Sequence, residues 1–163
     1  MQDPVYCIDA SSLMNLGRHF PSDVFPTLWE KINSLVRSGR LISPKEVLKE
    51  IEQGDDELVR WAKQHKVMFK KPASEELTAV REILAEFPSL VDSSKQTAEA
   101  DPFVIALAKI GNERSKSLFP GHKYVVVTEE SRIRPNRIPQ VCDRYGIESM
   151  KLLEFFRSEK WKF

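Results

Sequence analysis

With 163 residues, 41% of them hydrophobic and 30% charged, the chain has the length and composition of one soluble domain that buries a core without disulfides. Its 25 basic and 24 acidic residues leave a formal charge of +1, so no overall field argues for nucleic-acid or membrane-surface binding. No apolar run approaches the roughly 20 residues of a membrane-spanning helix, and the start MQDPVYCIDA has no basic segment ahead of an apolar stretch, so a cytoplasmic protein without a signal peptide is expected.

The first apolar run, residues 5–8, ends in Asp9, Ser11 and Ser12, the pattern of a buried strand giving way to a helix start. Val24, Phe25, Leu28, Trp29, Ile32, Leu35 and Val36 then form the stripe of an amphipathic helix that Gly39 terminates. Leu41 and Ile42 make a short second strand. Ser43 and Pro44 are expected to open the next helix as N-cap and first residue, with Val47, Leu48 and Ile51 inward and Gly54 at its end. Glu46 and Glu50, four apart, share one side of that helix.

Leu58, Trp61 and Ala62 mark a further helix, and residues 67–69 an extended segment. A helix over 74–86 follows, with Leu77, Val80, Ile83 and Leu84 inward, and then a polar loop over 87–97. Asp101 and Pro102 begin the most apolar helix, FVIALAKI, after which 111–122 reads as irregular. Residues 124–127 are a buried strand, followed by Thr128, Glu129, Glu130 and a basic loop. A short helix over 139–145, a last strand over 147–150 and a closing helix through Phe155 and Phe156 complete the order. Helices alternating with short apolar strands indicate an α/β fold with a mainly parallel sheet, and residues 1–163 show no repeat or boundary that would divide them. Cys7 and Cys142 lack CxxC or histidine spacing and read as reduced core thiols, which argues against zinc.

Ligands collect beyond the carboxyl ends of the strands in open parallel sheets. Asp9 and Glu130 follow strand ends, and Glu50 and Asp101 lie on helices that can face the same crevice. Acidic side chains gathered there repel each other unless a cation holds them, and oxygen ligands suit Mg²⁺ or Mn²⁺, which can activate water against a phosphodiester. Each residue also has a simpler explanation. Asp9 fits an N-cap, Asp101 before Pro102 fits one better, and Glu50 lies in an acidic run that is usually a solvated face. His19, His65 and His122 form no catalytic motif, and no phosphate-binding glycine loop is present.

The segments YCIDASSLMNL at 6–16, ISPKEVLKEI at 42–51, ADPFVIALAK at 100–109 and VVVTEES at 125–131 resemble, in order and separation, the acidic motifs of PIN domains. FPTLWEKINSLVRSGRLISPKEVLKEI, DELVRWAK and RIPQVCDRYGI extend the likeness over nearly the whole chain, towards a PIN-like bacterial and archaeal family. The resemblance implies a three-layer α/β/α fold, Mg²⁺ or Mn²⁺ dependence and cleavage of single-stranded RNA. It also implies a toxin paired with a small antitoxin and leaves room for a homodimer. It places Asp9, Glu50, Asp101 and Glu130 at the acidic positions. Glu46 competes with Glu50 for the second place, although the pattern VLKEI favours Glu50; Glu129 competes with Glu130 for the fourth, because many PIN domains have Thr-x-Asp where this chain has Thr128-Glu129-Glu130.

The expectation is therefore a metal-dependent endoribonuclease, with Asp9 and Asp101 as principal ligands and Glu50 and Glu130 completing the site. Ser11, Asn15 and Thr128 are expected to orient the carboxylates or meet the scissile phosphate. Arg132, Arg134 and Arg137, just past the fourth acidic position, are expected to contact the RNA backbone. The rivals are a PIN-like module that has lost hydrolysis and an interaction module presenting Trp29, Trp61 and the terminal Trp161-Lys162-Phe163.

Overall fold

A computed structural model describes residues 3–54, 56–91, 99–118 and 121–163. Part of the expected 87–97 loop lies outside the described residues. The described chain is α/β, with five parallel strands, β1 (Val5–Ile8), β2 (Leu41–Pro44), β3 (Phe69–Lys70), β4 (Tyr124–Val127) and β5 (Ser149–Met150), in the order β3-β2-β1-β4-β5. Its helices are α1 (Ala10–His19), α2 (Pro26–Arg37), α3 (Lys45–Ile51), α4 (Asp56–Gln64), α5 (Ser74–Glu86), α6 (Asp101–Ser115), α7 (Ile138–Arg144) and α8 (Leu152–Ser158).

Residues of the fully buried β1 alternate between the two faces of the sheet. The Tyr6 ring meets Phe155 of α8 at 4.5 Å, and Phe20, at the end of α1, meets Phe156 at 5.5 Å. Cys7 lies near Cys142 of α7, and both thiols are buried and free. On that side α6 packs across β1, β2 and β4, with α5 and α7 against it. The two layers of helices around one sheet make the three-layer α/β/α arrangement. Arg40 forks onto Glu159 at 3.0 and 2.7 Å, and the Tyr6 hydroxyl donates to the same carboxylate at 2.6 Å, tying the end of α8 to the start of the sheet. No helix among the described residues is long and apolar enough to cross a membrane.

Several local expectations shift. Val24 and Phe25 precede α2, whose first residue is Pro26, and Val24 is exposed. Ser43 lies within β2 and donates to the Ile8 carbonyl at 2.6 Å, while Pro44, the last residue of that strand, takes the N-cap position of α3. Val67 is exposed in a 3₁₀ turn, Lys66–Met68, and the strand begins only at Phe69. Leu77 points outward on α5. The last strand is shorter than 147–150, and α7 starts one residue earlier than 139.

The largest revision is at 111–122, where α6 continues to Ser115. Gly111 permits this, because a Cβ there would lie 2.5 Å from the Tyr124 ring. Beside it, the Asn112 side chain accepts from the Tyr124 amide at 2.7 Å and donates to its carbonyl at 3.1 Å, clamping the start of β4 to the helix.

Candidate active site

Parallel pairing of Ile8 with Val127 sets the ends of β1 and β4 side by side, and the Asp9 amide donates to the Val127 carbonyl at 3.0 Å. The next side chains therefore meet. Thr128, itself buried, donates its hydroxyl to Asp9 Oδ2 at 2.6 Å. Ser11 donates to both Asp9 oxygens at 2.9 and 2.8 Å, and the Ser12 amide to Oδ1 at 2.9 Å. Asp9 is thus the N-cap of α1 as well as a buried carboxylate at the sheet edge. Burial raises it to about 6, against the lowering effect of these donors.

Asp101 does not cap its helix. It is the first residue of α6, and the N-cap, Ala100, makes no side-chain hydrogen bond. Its carboxylate instead lines a cavity of about 320 Å³ together with Asp9, Ser11, Glu50, Glu130 and Arg137. Burial first, then the neighbouring charges of Glu130, Asp9, Glu50 and Glu99, push Asp101 up to about 8. Carboxylates from four separate stretches of sequence thus share one electrostatic environment.

Two of them are anchored by backbone amides. Glu50 Oε1 accepts from Ala100 at 2.6 Å and Glu130 Oε2 from Ile138 at 2.9 Å, which ties α3 to the start of α6 and the 130 loop to the start of α7. The competing residues are elsewhere. Glu129 Oε1 accepts from the Leu152 amide at 2.7 Å, at the start of α8. Glu46 is buried but does not line the cavity, and its Oε2 has no hydrogen-bond partner among the described residues.

The expected supporting residues divide in the same way. Ser11 and Thr128 hold Asp9, whereas Asn15 lines a different groove with Glu129 and Leu152. Of the arginines, Arg137 lines the carboxylate cavity, Arg132 is paired with Glu154, and Arg134 is exposed on the connecting loop. Glu99 and Gln53 also line the cavity and were not anticipated. Glu99 stands two places before Asp101, and that proximity to a helix-opening aspartate was the signal that could have marked it.

The donors suit a hard divalent cation in kind and in charge: all are carboxylates, with Asp9 held above its ordinary range by burial and Asp101 by burial and the neighbouring charges. In spacing they are open, since among the described residues no three histidine, cysteine or acidic side chains are grouped closely enough to hold a metal ion. Glu50 and Glu130 are each anchored to a different backbone amide, those of Ala100 and Ile138.

The family described as a domain of unknown function, DUF4411, matches residues 6–163. No curated protein matches the chain.

Proposed function

The chain belongs to the DUF4411 family, and from that starting point we propose that it is a metal-dependent endoribonuclease of the PIN kind, acting on single-stranded RNA. The observation that carries this reading is the convergence of Asp9, Glu50, Asp101 and Glu130 on one cavity, with Asp101 held up to about 8 by burial and by the others. Such a cluster is self-repelling until a cation enters it.

Asp9 and Asp101 would hold Mg²⁺ or Mn²⁺, with Glu50 and Glu130 completing the set. When bound, the ion lowers the pKa of water and offsets charge developing on a phosphodiester. Thr128 and Ser11 fix the orientation of Asp9, as partners behind a ligand generally do. Arg137, at the same cavity, contacts a backbone phosphate and sets the strand in place. Glu130, with Oε2 held by the Ile138 amide, keeps Oε1 as the oxygen that would meet the ion or its water; as water adds to phosphorus and the bridging P–O bond breaks, the proton that water gives up passes through solvent to the leaving oxygen. An RNA substrate, an antitoxin partner and a cytoplasmic location belong to the same proposal and rest on the motif resemblance.

A second reading, a PIN-like module that binds RNA or a protein partner without cutting, is favoured by the open spacing of the carboxylates. The discriminating experiment follows cleavage of labelled single-stranded RNA with Mn²⁺, Mg²⁺ or EDTA, using wild type and Asp101→Asn. Metal-dependent cleavage that the variant loses, with its melting intact, supports the nuclease. Absence of cleavage by wild type with either metal supports the binding module.

A further inference from the structure

The carboxylate cavity is one end of a longer groove. Met14, Glu50 and Gln53 line both this cavity and an adjoining depression, and Leu58 lines both that depression and a third cavity. Helix α1 runs alongside, with Ser11 at the first cavity, Met14 at the junction and Arg18 in the middle, positions one turn apart on one helix face. At 1.5 Å per residue, Ser11 and Arg18 are about 10 Å apart along the axis.

The third cavity is of a different character. Trp29 and Trp61 line it, with ring centroids 5.2 Å apart and planes at 71°. The Trp61 indole is fixed by donation to Asn33 Oδ1 at 2.8 Å and by stacking on His65 at 4.8 Å. The Asn33 amide and the Glu57 carboxylate, which accepts from Ser22 at 3.1 Å, add polar groups to the same wall. Its volume of about 160 Å³ is close to that of a cavity of about 150 Å³ known to hold one benzene ring.

We infer that this aromatic cavity is a nucleobase subsite: it takes one base of the strand whose backbone passes Arg18 and reaches the carboxylates. Three independent features support it. The rings are preorganised, and base–aromatic stacking is a general means of holding single strands. The volume suits a single six-membered ring. Glu57 and Asn33 offer an acceptor and an amide to the edge of an amine-bearing pyrimidine, as acidic side chains do for the cytosine amine. Arg18, exposed between the two ends, supplies a cation where a phosphate must cross from one to the other. The inference takes its substrate class from the ribonuclease reading, but its test does not require cleavage.

The test measures anisotropy of a dye-labelled short oligocytidylate and of an abasic strand of equal length, bound to the full-length protein in EDTA. Wild type should bind the base-bearing strand at least about tenfold more tightly. Trp61→Leu should abolish that preference. Ser22→Tyr, which fills the cavity from an exposed position and spares the core, should do the same with melting unchanged. Equal affinity of wild type for both strands, a preference that survives in both variants, or no binding of either strand would each overturn the subsite; a cavity built for a partner protein's side chain gives one of these results. A base preference without cleavage in Mn²⁺ sustains the subsite while removing the nuclease, and cleavage without base preference does the reverse.

Discussion

The hydroxyl of Thr128 donates to Oδ2 of Asp9 at 2.6 Å, across 119 positions of sequence and directly beyond the paired ends of β1 and β4. A side chain that orients a buried carboxylate in this way acts on whatever the carboxylate binds.

Replacing Thr128 by Val keeps the shape and removes the donor. Loss of a partner behind a metal ligand is expected to lower metal affinity or activity by about 10- to 100-fold, while Thr128→Ser, which retains the hydroxyl, should recover most of it. Calorimetric titration with Mn²⁺ checks this, and wild-type affinity in Thr128→Val would contradict the orienting role.

Stability should depend on pH and metal together. Asp101 releases its proton at about 3.8 when unfolded and at about 8 when folded, so between these values the folded state binds more protons. Its contribution to stability is therefore lost as pH rises from about 4 to about 8 without metal, and Asp9, raised to about 6, adds the same sign over a narrower range. A cation reverses the penalty. Mn²⁺ at about a hundred times its dissociation constant should raise the melting temperature by roughly 5–10 °C at about pH 8, and by clearly less at about pH 5. Melting curves that ignore Mn²⁺ at both would argue against metal in this cavity.

Of Arg132, Arg134 and Arg137, it is Arg137 that lines the cavity among the described residues, and Arg132 is already paired with Glu154. Arg137→Ala should weaken RNA binding and reduce the salt slope by about one, whereas Arg132→Ala should change neither appreciably. Binding isotherms over a series of salt concentrations distinguish the two, and identical losses for both variants would refute the assignment.

The buried strands were legible because an apolar run bounded by polar residues has few alternatives, and Asp9 and Glu130 could be placed from the strands they follow. Glu50 was preferred to Glu46 only through the likeness of VLKEI to the PIN motif; helix spacing could not decide, since residues four apart on a helix point the same way until something external selects one. The Ala100 amide makes that selection, and it comes from a segment fifty residues on. Glu99 went unnoticed because one acidic residue in a polar run carries no periodicity. The continuation of α6 past Gly111 was hidden for a related reason: glycine normally signals an end, and only the Tyr124 ring opposite explains why it stands inside a helix.

The strand order carries a consequence for biosynthesis. β1 is the middle strand, and its neighbours β2 and β4 come from well separated parts of the chain. Asp9 and Glu50 are made early, yet Thr128 and Glu130 join them only when β4 docks beside β1, after everything up to Glu130 has been translated. A nascent chain emerging from the ribosome therefore carries scattered carboxylates and no finished cluster. The cell meets the assembled cavity only as the last strands close.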